Sequence, residues 1–413
     1  MTKAAARIQR IYLLLTFGNV FAASLIWGIN TLFLLDAGLN NFEAFAANAF
    51  FTLGMVIFEV PTGVVADTWG RRASYLLGTI TLAVTTFMYF MLWQVHAPFW
   101  EWAVVSILLG LGFTFFSGAV EAWLVDAMTE SGYKDDFEAV FGKGQIASGA
   151  GMLVGSIGGG LIAQFSSLGV PFVVRALVLV LMFILAFMFM RDIGFTPEPK
   201  AKPLKAVKKV FDASIESGFR NPPVKWLMLA QPLSAGIGIY VFYAAQPFLL
   251  ELYGDKTAYL IAGLAAAIIA GSQIAGGYLS PRVRKLPYSR IALIIFGTAI
   301  SAVSLTLLGL VGNFVAALVL LVVWSLVFAT VTPIRQAYIN GLIPSKQRAT
   351  VLSFDSLMSS GGGAVTQPLL GRSADVWSYG TSFVISAGIQ ALSIPFLAKS
   401  RLAHQKAANK AKN

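Results

Sequence analysis

The feature that most constrains this chain is a series of twelve apolar segments, each long enough for a helix to cross a lipid bilayer. The composition agrees, because 57% of residues are hydrophobic and 12% are charged, whereas soluble domains are about 45–50% apolar and about 25% charged. The sequence therefore predicts an all-α polytopic membrane protein. Its spans are 11–35, 42–66, 73–95, 100–128, 142–166, 170–191, 224–252, 257–280, 290–311, 314–338, 349–371 and 380–398.

The positions of lysine and arginine predict the orientation, because cytoplasmic loops of membrane proteins are enriched in both. With the N-terminus in the cytoplasm, all of the 30 basic residues except Arg175, Lys256 and Arg372 fall on the cytoplasmic side. We therefore expect both termini to be cytoplasmic. The net charge of +11 is explained by this topology and by attraction to anionic lipid at the cytoplasmic face, rather than by nucleic-acid binding.

The sequence lacks the residues that several other classes of function require. The chain has no cysteine and only two histidines, His96 and His404, so no metal site or cofactor is expected. A membrane-embedded transferase would need a nucleophile–base pair, and none is recognisable. A P-loop is absent, which argues against ATP-driven transport, and a receptor or scaffold would be expected to carry a larger soluble region. The first apolar run is too long for a cleavable signal peptide.

The longest polar stretch, 192–223, separates six predicted spans from six, which gives an N-terminal bundle over 1–191 and a C-terminal bundle with a basic tail over 224–413. Within this linker, apolar residues recur at helical spacing with lysines between them, at Leu204, Val207, Phe211 and Ile215. This pattern predicts an amphipathic helix on the inner membrane surface, and a disordered linker is the alternative.

The two halves resemble each other at a nearly constant offset of about 213 residues, which indicates an internal repeat. A parallel repeat of six spans predicts two pseudo-symmetric six-helix bundles with a substrate site between them near the midplane. The matched pairs are Phe33–Asp36 with Phe248–Glu251, Gly63–Arg72 with Gly276–Lys285, Phe113–Met128 with Val327–Leu342, and Ser148–Gly159 with Ser360–Gly371.

The run Gly63-Val-Val-Ala-Asp67-Thr-Trp-Gly70-Arg71-Arg72, between spans 2 and 3, resembles the loop signature of the major facilitator superfamily (MFS), with Thr68 at a position that is usually basic. The resemblance covers essentially the whole chain and implies the MFS fold. The glycines of span 5 also resemble a motif of the bacterial drug:proton antiporter branch, although Ser156 replaces its proline. They are Gly142, Gly151, Gly155, Gly159 and Gly160.

The resemblance implies a cytoplasmic gating cluster made of Gly63, Asp67, Gly70, Arg71, Arg72 and Asp126. In it, Asp67 faces a helix N-terminus, where the helix dipole favours anions, and Arg71 or Arg72 pairs with Asp126. Such a cluster forms only when the inner ends of the bundles meet, so it biases a two-state gate. A static loop clamp is the alternative.

Small residues recur every fourth position along spans 5 and 8, and such ridges allow helices to approach closely in lipid. In the superfamily these two spans face each other, so the ridges are interpreted as a seam between the bundles; tight packing without movement is the alternative. The seam residues are Gly151, Gly155, Gly159, Gly263 and Gly271.

Acidic residues within membrane spans are costly and therefore indicate function. Glu59 and Glu121 fall at comparable depths in spans 2 and 4, and both are candidates for proton coupling through a buried carboxyl group. A fixed buried ion pair is the alternative for each. Arg335 and Asp355 lie at matching positions on a helical hairpin, which predicts a salt bridge between them.

Spans 1 and 7 line the central path in this superfamily, so the resemblance places a substrate path along their polar and aromatic residues. They are Asn19, Trp27, Asn30, Gln231, Tyr240, Tyr243 and Gln246. The expected function is proton-coupled efflux of a small amphipathic compound by rocker-switch alternating access. The alternative is a proton-coupled symporter that imports a nutrient or metabolite. We expect a monomer, multi-pass in the bacterial inner membrane, with no nucleic-acid partner.

Overall fold

The computed structural model describes residues 2–116, 118–134, 137–196, 220–343 and 348–410, and within these ranges all regular structure is helical. The predicted amphipathic helix of the linker lies outside the described residues. The helices are α1 Lys3–Trp27, α2 Asn30–Asp36, α3 Asn41–Trp69, α4 Arg71–Gln94, α5 Phe99–Thr114, α6 Ala119–Glu130, α7 Glu138–Phe165, α8 Val170–Phe189, α9 Pro222–Tyr253, α10 Tyr259–Val283, α11 Arg290–Leu310, α12 Phe314–Leu342, α13 Arg348–Val376, α14 Tyr379–Ala391 and α15 Ser393–Lys410.

The all-helical membrane fold class is confirmed. Within the part of the chain described, 11 helical segments are long and apolar enough to cross a membrane. The predicted eleventh span forms a helix, α13, but is not among those segments. It carries Asp355, Gln367 and Arg372 and is correspondingly more polar than the others.

Three predicted spans are interrupted, which the apolar pattern did not indicate. Span 1 breaks between α1 and α2, span 4 between α5 and α6, and span 12 at Leu392 between α14 and α15. The break in span 4 ends at Gly118, whose φ of 69° lies in the left-handed region that favours glycine. In membrane transporters, broken helices bring backbone dipoles and polar side chains into a span, so this break marks a region of functional interest.

The chain forms two compact units. Unit 1 comprises Met1–Leu39, Phe50–Ala206 and Thr257–Ala267, and unit 2 comprises Asn40–Ala49, Val207–Lys256 and Ile268–Asn413. Each unit has an apolar cluster of its own. In unit 1 the cluster includes Leu15, Trp123 and Leu124, and in unit 2 it includes Leu227, Ile294 and Ile339.

The glycine ridge of α7 packs inside unit 1, against α1. A Cβ atom at Gly151 would lie 2.8 Å from the Phe17 carbonyl oxygen, and one at Gly155 would lie 2.7 Å from that of Phe21. At Gly159 a Cβ atom would overlap the Leu25 carbonyl oxygen. The prediction that these three glycines face span 8 is therefore wrong, because the ridge allows α7 to approach α1 instead.

The contact between α7 and α10 uses the neighbouring face of α7. A Cβ atom at Gly263 would meet the Ser156 carbonyl oxygen at 2.7 Å and the Gly160 Cα at 3.1 Å. This part of α10 belongs to unit 1. Gly271, further along α10, has no atom within 4 Å of the position its Cβ would occupy. Of the predicted seam, only Gly263 therefore lies in a close contact between α7 and α10.

In unit 2, the N-terminus of α3 is capped by a residue more than three hundred positions away. The Asp375 carboxylate accepts hydrogen bonds from the backbone N–H groups of Asn41 and Phe42 at 2.9 and 2.8 Å, and from the Asn41 side chain at 2.9 Å. The Tyr379 hydroxyl also donates to the Asn41 side chain. A carboxylate at a helix N-terminus satisfies donors that have no partner within the helix, so Asp375 holds this end of α3 in unit 2.

Candidate functional site

One face of α6 is not covered by other helices of the described chain. It carries Gly118, Glu121 and Thr129, which are exposed, and Val125 and Asp126, which are half-buried. Glu121 stands in the first turn of α6 directly after the break in span 4. It lies nine residues before Glu130, at which α6 ends, so its carboxylate is about 14 Å from the predicted cytoplasmic end of the span.

The composition of this face distinguishes it from a surface that contacts lipid. The exposed residues of α8 are large and apolar, among them Leu177, Leu181 and Ile184. Apart from Val125, the uncovered face of α6 has glycine, acidic and hydroxyl residues, of which the acidic side chains are unfavourable against hydrocarbon. We therefore interpret it as lining a polar path through the membrane.

Glu59 lies on a similar uncovered stripe of α3, formed by Glu59, Gly63 and Asp67 at successive helical turns. Its side chain is exposed, and a Cβ atom at Gly63 would meet no other atom within 4 Å. Glu59 is ten residues before the end of α3, about 15 Å from it, which is close to the depth of Glu121. The expectation that Glu59 and Glu121 are buried is wrong, because these faces of α3 and α6 are left open.

Aromatic and amide groups lie close to Glu121 in unit 1. Tyr12 is near enough to Glu121 to interact with it electrostatically, although its side chain is mostly covered. Two helical turns further along α1, Asn19 accepts a hydrogen bond from the Tyr75 hydroxyl at 2.7 Å. The Tyr75 ring packs on Phe116 with 5.0 Å between centroids. Polar atoms and aromatic rings therefore occur together in this part of the unit.

The cytoplasmic cluster forms differently from the prediction. Arg71 forms an ion pair with Asp67, one helical turn away. Arg72 donates to the Phe187 carbonyl oxygen at 2.7 Å, and its guanidinium lies over the Phe187 ring at 4.8 Å. Neither arginine pairs with Asp126 in the described chain, so the predicted bridge to span 4 is not present in this structure.

A short segment after α8, residues 190–195, contacts the predicted cytoplasmic ends of α4 and α6. Asp192 accepts a hydrogen bond from the backbone N–H of Arg72 at 2.9 Å, and the Arg191 carbonyl oxygen accepts one from the Trp123 indole at 2.7 Å. Phe195 lies 5.7 Å from the Arg71 guanidinium carbon. Asp192 thus caps the N-terminus of α4, whereas the sequence predicted that Asp67 of the signature loop would face a helix N-terminus. This role could not be predicted from the sequence, since 120 positions separate the hydrogen-bonded residues.

Burial raises the pKa of the Asp192 carboxyl, and the hydrogen bond and positive charges of Arg72 and Arg71 partly oppose that rise. A carboxyl group whose pKa is higher in the folded protein stabilises the fold at pH values below its unfolded pKa, and this contribution is lost as the pH rises through the folded pKa. We expect Asp192→Asn to show a flatter dependence of the thermal unfolding midpoint on pH across that acidic range. Glu130→Gln, an exposed acid at the same end of unit 1, is the control. Parallel profiles for wild type and Asp192→Asn would contradict the assignment.

In unit 2, Arg335 and Asp355 form a two-pronged ion pair, with both guanidinium–carboxylate distances at 2.7 Å. Asp355 is buried, and the Arg335 side chain is 16% exposed. Arg335 is the repeat counterpart of Glu121, and the α12 face beside it carries the exposed polar residues Thr332 and Gln336. The charge of Arg335 is thus neutralised within unit 2.

The predicted substrate-path residues divide into two groups. Asn19, Trp27, Gln231 and Tyr243 are half-buried. Tyr240 and Gln246 are fully buried and Asn30 is nearly so. The Tyr240 hydroxyl donates to Ser382 at 2.5 Å inside unit 2. For Tyr240, Gln246 and Asn30 a place on an open path is therefore wrong, because polar residues of a span also serve to join helices within a bundle.

The family to which these features belong is decided by comparison with known proteins. The sequence model of the Major Facilitator Superfamily matches residues 12–366. The chain belongs to the Major Facilitator Superfamily. It is a multi-pass membrane protein and an MFS-type secondary transporter, not an enzyme. Among the described residues of this transporter, no group of three His, Cys, Asp or Glu side chains could hold a metal ion.

Relatives and solved structures agree on the superfamily. An uncharacterised MFS-type transporter of Methanocaldococcus jannaschii is 22% identical over 247 residues, which are 60% of this chain and 62% of that protein. The chain thus matches less than two thirds of that relative's length. The nucleoside transporter NupG has the same fold, with a TM-score of 0.78, 15% identity and coverage of 95% of this chain and 98% of that one. A bacterial homologue of the human lysosomal transporter Spinster also has this fold, with a TM-score of 0.73, 15% identity and coverage of 98% of both chains.

Proposed function

We propose that this MFS transporter exports a small amphipathic compound, preferably cationic, in exchange for protons, as members of the drug:proton antiporter branch do. The proposal is carried by one observation, the state of the Glu121 carboxylate. It stands on an uncovered polar face within a span and, in the part of unit 1 that is described, forms no ion pair.

A carboxylate at this position is suited to bind either a proton or a cationic ligand. Deep in a membrane a carboxylate without a counter-charge is costly, so protonation or a cationic ligand stabilises it. Its place in the first turn of α6 moderates that cost, since the positive end of the helix dipole favours the ionised form. The proposed exchange requires a single carboxylate that binds either a proton or a cation.

The charges of the two units support a cationic substrate. The repeat counterpart of Glu121 is Arg335, and Asp355 neutralises its guanidinium. Glu59, at similar depth on α3, adds a second exposed carboxylate to unit 1. Phe116, which is half-buried and lies five positions before Glu121, provides aromatic surface in the same unit, and aromatic rings bind organic cations through their negative faces.

The proposed cycle is alternating access by a rocker switch. The pairing of Arg71 with Asp67 and the Asp192 cap on α4 fix the cytoplasmic end of unit 1. Asp375 fixes the opposite end of α3 in unit 2. In this proposal, these contacts within each unit persist, and binding of a proton or a cation at Glu121 biases the equilibrium between the two states.

The function is tested with the purified protein in liposomes under an imposed pH gradient, with ethidium as the transported cation. We expect gradient-driven accumulation in wild type and its loss in Glu121→Gln, because the amide cannot release a proton. Glu130→Gln makes the same substitution on the same helix outside the predicted membrane interior, and it should transport as wild type does. Glu59→Gln, tested in parallel, decides whether the second carboxylate is also required.

Two outcomes would overturn parts of the proposal. Transport that does not respond to the pH gradient, or a Glu121→Gln variant that responds fully, would contradict coupling through Glu121. Substrate-dependent alkalinisation of the medium around intact cells would indicate proton symport of a nutrient or metabolite, the alternative function. A panel of candidate ligands scored by the rise in the thermal unfolding midpoint would then identify the substrate class.

A further inference from the structure

The predicted cytoplasmic ends of α9 and α15 meet in unit 2 and carry an unusual concentration of positive charge. The Ser400 hydroxyl donates to the Pro223 carbonyl oxygen at 2.7 Å, which joins the end of α15 to the start of α9. Lys225 and Lys399 are close in sequence to the two residues of this contact. Arg401 and Lys406, further along α15, are exposed.

Two lysines converge on one indole ring. The ammonium nitrogen of Lys399 lies 4.5 Å from the centre of the Trp226 ring, and that of Lys225 lies 5.5 Å from the same centre. Two like charges held in one small region repel each other unless an anion lies between or beside them. The cation–π contacts reduce this repulsion only in part.

The described helices around the two lysines contribute little negative charge. Among the described residues there is no Asp or Glu between 220 and 250, after Asp375 or in α11, which also packs against α15, and Asp355 of α13, which packs on α9, is paired with Arg335. Within the described ranges neither Lys225 nor Lys399 forms an ion pair. The Asn221 side chain does not cap α9, because its amide donates to the Leu342 carbonyl oxygen instead. The positive end of α9 therefore adds to the field of the two lysines.

We propose that Lys225, Lys399 and Trp226 form a binding site for the phosphate headgroup of an anionic membrane lipid. Trp226 lies at the start of a membrane span, at the depth where indole rings anchor to the interface between headgroups and acyl chains. Lysines at this depth reach the phosphates of the cytoplasmic leaflet, which carries the anionic lipids. A membrane phosphate is thus the anion that the position of the site favours.

The site is tested by native mass spectrometry of the full-length protein in detergent with added phosphatidylglycerol, and with phosphatidylcholine of the same acyl chains as the neutral lipid. Wild type should retain phosphatidylglycerol preferentially. Lys225→Gln/Lys399→Gln should weaken that binding by roughly tenfold to thirtyfold, as expected for two lysines near a membrane surface. Arg282→Gln/Lys285→Gln removes the same charge from exposed positions, one in the last turn of α10 and one just after it, and should bind as wild type does.

Equal retention of the two lipids by wild type would overturn the proposal. So would unchanged phosphatidylglycerol binding in the Lys225→Gln/Lys399→Gln variant, or an equal loss in the control variant, which would indicate attraction by net charge alone. Inorganic phosphate is added in a separate arm. Displacement of the lipid by free phosphate at equal concentration would assign the site to a soluble phosphate ligand instead of a lipid.

Discussion

Arg335→Met is expected to lower the free energy of unfolding by about 3–5 kcal/mol, because it leaves the Asp355 carboxylate buried without its counter-charge. In this structure both carboxylate oxygens accept from the guanidinium at 2.7 Å, and Asp355 is only 7% exposed. Methionine fills a similar volume, so the loss is electrostatic rather than a loss of packing. The measurement is chemical unfolding in mixed detergent micelles, monitored by tryptophan fluorescence.

The double variant Arg335→Met/Asp355→Leu separates the cost of an unpaired charge from the value of the pair. Replacement of both partners by apolar side chains is often neutral, so we expect it to recover most of the lost stability. Arg282→Met, at an exposed position of the same unit, should change stability by less than about 0.5 kcal/mol. An Arg335→Met protein as stable as wild type would show that the pair does not contribute to the fold.

Gly159→Ala is expected to destabilise unit 1 by about 3 kcal/mol or more, at the upper end of the usual cost of overpacking. The added Cβ atom would overlap the Leu25 carbonyl oxygen of α1, and a backbone atom within a helix cannot move aside alone. The two helices would have to separate along the whole ridge, which includes Gly151 and Gly155. The change is measured as the loss of monodisperse protein on size exclusion and as a lower thermal unfolding midpoint.

Gly158→Ala is a matched control one residue away. Its Cβ atom would have only Leu25 Cδ2 near it, at 4.0 Å, which is ordinary van der Waals contact. Alanine favours a helix over glycine by about 1 kcal/mol, so this variant should be as stable as wild type or more stable. Equal destabilisation by the two substitutions would contradict the packing of α7 on α1 that the structure shows.

Helices, spans and family could be predicted from the sequence because they depend on local signals. An apolar run of about 20 residues crosses a bilayer as a helix, since backbone polar groups must be satisfied within the segment. The pairing of Arg335 with Asp355 could also be predicted, because both lie on one helical hairpin at equal distance from its turn. The signature loop around Asp67 and Arg71 pointed to the superfamily.

The sequence did not predict which neighbouring helix the glycine ridge of α7 contacts. Small residues at every fourth position define one face of a helix, but nothing in the spacing states which neighbour occupies that face. Consecutive residues of a helix differ by about 100° in direction. Gly159 therefore packs on α1, while Gly160, the next residue, meets Gly263 of α10.

The sequence by itself determined an all-helical membrane protein and its superfamily, because hydrophobicity and a local signature act along the chain; the two related halves remain a prediction from the repeat. The tertiary structure decided which acidic residues within the spans are exposed and which residues cap helices that are distant in the sequence. Glu121 is exposed because the break at Gly118 begins a new helix whose polar face no neighbour covers among the residues that are described. Asp192 and Asp375 cap helices across 120 and 334 positions, contacts that only the packing of distant segments creates.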